Sequence, residues 1–289
     1  MTSFKAMWSL TRADHAIALF VGVLIGAVIV APSLDLIPKL ALVLAALSPA
    51  LQWMGVTSAN DLWDYETDKA NRRTDRPLVT GQATKATAST TAFVTITLSV
   101  VTAWLASHLT GNYLILLVAS LYGILGVLYS YRIKAWPLAG NAVVALGMAL
   151  PYPYGNLVVS QSIAGAALAA AGAAFCFGIG RELIKSIMDA QGDKKTGRKT
   201  LPILVGTKAS SALAVVFMAA AIVFLLMPFF ALTKYEGDYV FLAIAIVAAI
   251  LALKIIFDTA LLRNYRQNRH MTLFASFIAL IAFLAGALV

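Results

Sequence analysis

Apolar positions in this chain follow neither the helical nor the strand period. They run on almost without a break and stop only at clusters of charge. A helix needs roughly 20 apolar residues to cross ~30 Å of hydrocarbon, and nine runs of that order are present. They lie near 15–32, 38–60, 87–107, 112–131, 137–155, 162–184, 210–232, 238–258 and 271–288. A transmembrane barrel would instead show short strands of alternating character, so the expected elements are helices. The fold expected is an all-α, multi-span membrane bundle of nine transmembrane helices. It forms a single domain over 1–289, capped by two long polar stretches at about 61–86 and 185–209.

Composition removes the soluble alternative, since 61% of residues are hydrophobic and only 12% are charged. Apolar runs recur almost to Val289, so neither one anchor nor a cleaved signal explains them. The net charge of +9 would suggest nucleic acid in a soluble protein; here the basic residues flank apolar spans, where topology and anionic lipid account for them. Of 22 lysines and arginines, all but Lys39 and Lys234 fall on the side of the N-terminus. The expected placement is therefore the cell membrane, with the N-terminus cytoplasmic and the C-terminus external. Cys176 stands alone and the three histidines lack ligand spacing, which excludes disulfide and zinc chemistry. Small residues at Gly165, Ala169, Gly172 and Ala173 are read as helix packing and need no cofactor.

The two polar stretches hold most of the acidic residues and resemble each other. A shift of 125 superposes Asp64 on Asp189, Asp68 on Asp193, Lys69 on Lys194, Arg73 on Arg198, Pro77 on Pro202 and Gly81 on Gly206. The two copies follow the second and sixth runs, an even number of crossings apart, so they share an orientation and imply parallel repeats. Both acidic motifs can then face one cavity.

Asn60, Asp64 and Asp68 are spaced i, i+4, i+8 and stack on one helix face, with Asp61 beside them; Asp189 and Asp193 repeat the spacing. Carboxylates converging at a membrane boundary repel one another unless cations neutralise them. Hard oxygen donors suit Mg²⁺, which completes its octahedron with water and phosphate oxygens. The expected metal ligands are Asn60, Asp61, Asp64, Asp68, Asp189 and Asp193. A solvated, salt-bridged helix end is the plain alternative, but it does not account for the duplicated spacing or for the basic residues after each motif. Metal plus polyanion, a diphosphate clamp, fits both.

Asn60-Asp61 with Asp64 and Asp68, followed by Arg76-Pro77-Leu78, resembles the first signature of the UbiA superfamily of intramembrane prenyltransferases. That resemblance implies nine helices and Mg²⁺-dependent transfer of a prenyl group from a prenyl diphosphate to a membrane-associated acceptor. It also implies an apolar tunnel open to the lipid bilayer. Gly180 to Lys185, Gly192-Asp193 and Thr200-Leu201-Pro202 are most similar to the digeranylgeranylglyceryl phosphate synthases of that superfamily. This implies geranylgeranyl transfer to geranylgeranylglyceryl phosphate. An aromatic acceptor, 4-hydroxybenzoate or another quinone or chlorin precursor, is the alternative, and an ion-coupled transporter is the alternative of another class. One departure stands out: the family pattern has Asp where this chain has Ser186.

On this reading the catalytic set is Asn60, Asp64, Asp68, Asp189, Asp193, Tyr131 and Lys134. Arg73, Arg76, Arg198, Lys199 and Lys134 spread the leaving-group charge, and Tyr129 and Tyr131 face the allylic cation. Arg181 and Lys185, with Arg12, hold an acceptor phosphate.

Overall fold

The computed structural model describes residues 3–31, 33–70, 72–195, 199–231, 234–262 and 264–288. Twelve α-helices follow one another with no strand among these residues. They are α1 (Phe4–Thr11), α2 (Ala13–Val28), α3 (Lys39–Trp63), α4 (Tyr65–Ala70), α5 (Lys85–Thr110) and α6 (Leu114–Tyr131). The second half holds α7 (Ala139–Ala149), α8 (Pro151–Val159), α9 (Gly165–Lys195), α10 (Leu201–Ala231), α11 (Tyr239–Phe257) and α12 (Tyr265–Leu288).

Eight spans are long and apolar enough to cross a membrane, α7 and α8 together forming one of them. A ninth exists if α1 and α2, bent by 58°, count together. The bend lies at Arg12, whose φ of 47° puts an L-residue in the left-handed region. α2 covers most of the run expected over 15–32 but ends at Val28, and it reaches spanning length only together with α1. The fifth also breaks: α7 stops at Ala149, and Pro151, which has no N–H to donate, occupies the first turn of α8.

Of the stretches expected as polar caps, 185–209 is mostly helical among the described residues and 61–86 is helical only at 61–63, 65–70 and 85–86. α3 continues to Trp63 and α4 follows at once, while α9 runs 31 residues, about 46 Å at 1.5 Å per residue. A helix of that length outreaches the hydrocarbon, so Asp189 and Asp193 ride on its projecting end.

The internal repeat is visible in the backbone. Gly81 and Gly206, each four residues after a proline, both have positive φ, 74° and 83°, which only glycine adopts without strain. At Gly206 the left-handed residue splits α10 into a short lead-in and the long helix. α5 packs along α3 as α10 packs along α9, and α2 packs on α3 as α7 packs on α9.

The halves meet where α2 crosses α8. A Cβ at Gly26 would strike the backbone carbonyl of Tyr152, and one at Gly155 would strike that of Val23. Small residues there let two backbones touch, which drives packing in lipid, where hydrophobic association is weak. Near the far end of α2, Lys234 donates to the carbonyls of Val28 (3.0 Å) and Ala31 (2.7 Å), and desolvation lowers its pKa. It closes the carbonyls that a helix C-terminus leaves open.

Candidate active site

The first acidic motif forms where α3 ends. Asn60 lies in its last turn, and Asp64 is the residue at which α3 gives way to α4, with φ −84° and ψ −3°. Asn60 Nδ2 donates to Asp64 Oδ2 at 3.0 Å. The Lys134 ammonium donates to the other oxygen of Asp64 and, at 3.3 Å, to Asn60 Oδ1. Lys134 belongs to the 3₁₀ turn Ile133–Ala135 after α6.

That turn also leads to the second motif. Gly140 brings the start of α7 close against Lys134, where an added Cβ would stand 3.3 Å from the lysine Cα. The next residue, Asn141, donates from Nδ2 to Ser186 Oγ on α9 at 3.4 Å. Asp189 follows Ser186 by about one turn and is exposed, with no ion-pair partner among the described residues. Asp193 is half-buried. Residues 134–141 therefore link Asn60 and Asp64 to the stretch of α9 that carries the second motif.

Asp68 is buried on α4, with Arg76 Nε at 3.4 Å and Arg73 Nη1 at 4.0 Å from its oxygens. Arg73 spends its fork on Asp75 through two bonds of 2.8 and 2.7 Å. The Arg73 hydrogen bonds hold the Asp75 carboxyl down at about 2, and they raise the Arg73 pKa in turn. Both groups are ionised at neutral pH, so the pair persists there.

Other residues of the expected set are paired or surface-exposed. Asp61 is not presented as a free oxygen donor: Arg12 and Arg76 each stand 3.0 Å from its Oδ1, and its side chain is 1% exposed. Tyr131 is 70% exposed, as suits an aromatic residue at a membrane interface. Tyr129 is half-buried and lies within electrostatic reach of Arg12. Arg181 and Lys185 are not open cations, because both pair with the buried carboxylate of Glu182 at 3.2 and 3.5 Å. Lys199 is exposed, and Arg198 lies outside the described residues.

Among the described residues no three acidic, histidine or cysteine side chains converge enough to hold a metal ion. A fit for one is nevertheless present in Asn60 and Asp64. Their oxygens converge on the Lys134 ammonium, so a cation already occupies the place where hard donors meet.

A small apolar pocket of about 20 Å³, little more than room for a water, lies between α2, α3, α6, α7 and α8. Leu19, Pro49, Val118 and Leu150 give it an apolar lining, while Gln52 and Tyr154 add polar groups. Gln52 precedes Asn60 by eight residues, so the pocket lies about 12 Å deeper along α3 than the acids.

Sequence reasoning missed Asp75 and Glu182. Both stand within three residues of the basic groups they hold, a local spacing that can be read for salt bridges. The Arg12 pair with Asp61 spans 49 residues, and no spacing rule reaches it.

Comparison with known proteins places these features in a lineage. The family model described as the UbiA prenyltransferase family matches residues 19–284. A digeranylgeranylglyceryl phosphate synthase of Archaeoglobus fulgidus is 31% identical over 287 residues, which is 98% of this chain and 95% of that one. Among solved structures, one from work on digeranylgeranylglyceryl phosphate synthase in membranes superposes with a TM-score of 0.78 at 24% identity, covering 99% of both chains. A UbiA homologue from Archaeoglobus fulgidus bound to DMAPP and Mg²⁺ superposes at 0.69 and 20% identity, covering 97% of this chain and 99% of that one. With its eight or nine apolar spans the chain is an integral, multi-pass membrane protein. The sequence, the repeat and the fold agree: the chain belongs to the UbiA prenyltransferase family.

Proposed function

We propose that this protein transfers a geranylgeranyl group from its diphosphate to the glycerol hydroxyl of geranylgeranylglyceryl phosphate, within the membrane and with Mg²⁺. The observation that carries the reading is the linkage of the two acidic motifs through Lys134 and Asn141, in a chain alike over nearly its whole length to a digeranylgeranylglyceryl phosphate synthase. Asn60, Asp64, Asp68, Asp189 and Asp193 are the residues that would hold the metal. Bound there with the diphosphate, Mg²⁺ supplies Lewis-acid neutralisation of the leaving group.

The chain's own residues do the rest. Lys134 and Arg76 pair with acids that a metal would engage, and the charge they free meets the diphosphate oxygens. The allylic C1–O bond breaks with its electron pair going to the diphosphate. The acceptor oxygen bonds to C1, and its proton leaves with the diphosphate. Apolar helix faces between the spans would line the path of the prenyl chain and exclude water from the cation. The phosphate-bearing acceptor is favoured by the likeness to a digeranylgeranylglyceryl phosphate synthase over nearly the whole chain. The lysine and arginine bias supports a cytoplasmic N-terminus, an external C-terminus and placement in the cell membrane. Diphosphate then arrives from the cytoplasmic water beside the acids.

Incubating the reconstituted protein with labelled geranylgeranyl diphosphate tests this. Product is expected with geranylgeranylglyceryl phosphate and Mg²⁺, not with 4-hydroxybenzoate and not in excess chelator. Product with the aromatic acceptor alone overturns the acceptor, and no metal-dependent product with either overturns the activity. Lys134→Met is expected to lower turnover by about 10²-fold in the same assay, as loss of one preorganised cation does; unchanged turnover would remove Lys134 from the site.

A further inference from the structure

Three separate segments meet on one carboxylate oxygen. Arg12 comes from the break between α1 and α2, Arg76 from the loop after α4, and both reach Asp61 Oδ1 at 3.0 Å. Asp61 itself lies in the last turn of α3, with its other oxygen buried and without a hydrogen-bond partner. A magnesium ion binds oxygen at about 2.0–2.1 Å and keeps much of its water. At Asp61 it would have to displace two guanidiniums or share the carboxylate with them, against like-charge repulsion. At Asn60 and Asp64 it meets only one ammonium on a flexible stem.

We infer that Asp61 is a positioning residue: it anchors Arg12 and Arg76 side by side as a phosphate cradle and leaves metal binding to its neighbours. The inference rests on the proposed diphosphate chemistry. Each guanidinium carries five N–H donors and gives Asp61 one short bond, so most of each fork stays available for phosphate oxygens. One carboxylate under two guanidiniums also leaves the trio with a net positive charge. The anchor matters most when metal engages Asp68, because Arg76 then keeps Asp61 at 3.0 Å as its one short ion pair, with Asp75 farther off at 4.0 Å. Arg12 needs the anchor as well. Its backbone is the left-handed cap of α1, with the N–H bonded to the Trp8 carbonyl, and the Asp61 pair fixes the side chain that this cap presents.

The second half carries a like device one turn earlier. Ser186, the repeat counterpart of Asp61, has no charge to offer. Glu182, buried on α9, holds Arg181 and Lys185 instead. Each half thus sets aside one buried acid to hold two cations, apart from the acids assigned to metal.

The test measures Mn²⁺ binding by electron paramagnetic resonance and pyrophosphate binding by calorimetry, on the full chain in detergent with Mn²⁺ present. Asp61→Asn is expected to keep Mn²⁺ affinity within about threefold and to weaken pyrophosphate about tenfold or more, the order of one lost charge-assisted contact. If Mn²⁺ affinity falls with pyrophosphate affinity, Asp61 is a ligand and the inference fails; if neither changes, it fails as well. Should Asp61→Asn not fold, Arg12→Gln keeps the Arg76 pair and must show the same split. Wild-type protein that binds both probes but transfers no prenyl group defeats the proposed function and leaves this inference standing, whereas wild-type protein that binds no pyrophosphate defeats both.

Discussion

Asp64→Asn is expected to lower prenyl transfer by about 10³-fold, near 4 kcal/mol of transition-state stabilisation, while the helical bundle stays folded. The size follows from the position. Asp64 is hydrogen-bonded by Asn60 on one oxygen and by Lys134 on the other, so it organises both the neutral donor and the cation around it. An amide of the same shape keeps the turn at the end of α3 but removes the charge that holds the lysine and, on the proposed reading, would gather the metal. Turnover with saturating acceptor, measured beside circular dichroism of the same sample, checks it. Retained turnover would show that the metal rests on other acids.

Gly26→Leu is expected to be the most destabilising single change away from the acids, by more than about 3 kcal/mol, read as early thermal unfolding or failure to accumulate folded protein. Overpacking in a core usually costs about 1–3 kcal/mol because side chains can shift. At Gly26 the new atoms would meet the backbone of Tyr152, and Gly155 across the interface is equally close to Val23, so neither helix has a side chain to move aside. Separating α2 from α8 would part the two halves at their crossing. Wild-type stability in this variant would mean that the crossing is looser than the structure has it.

Much of the bundle was legible in the apolar runs, because lipid imposes length and continuity on any span. The ends of α3, α5, α6 and α11 fall within a few residues of where the runs place them. The first run was found as α2, but the bend before it was not, because Arg12 caps α1 in a left-handed conformation that an arginine does not announce. α9 escaped at its far end because a helix continuing into water needs no apolar residues, so Asp189 to Lys195 read as loop. The repeat was legible to the residue, and Gly81 with Gly206 bears it out in the backbone.

At the site, the grouping of Asn60 with Asp64 and Lys134 follows from helical spacing and from the short turn after α6. The role of Asp61 did not follow, since residue type and spacing make it look like its neighbours. What separates it is burial under Arg12 and Arg76. Tyr131 is exposed, and a tyrosine beside a site and a tyrosine at a lipid boundary look identical in a sequence.

Asp61, Asp64, Asp68 and Asp75 are matched within reach by Arg12, Arg73, Arg76 and Lys134, four negative charges beside four positive ones. The acids thus leave synthesis already balanced, and the chain reaches its native shape without waiting for an ion, unlike domains that only metal can fold. Scarcity of magnesium in the cell would then idle finished molecules rather than halt their biogenesis.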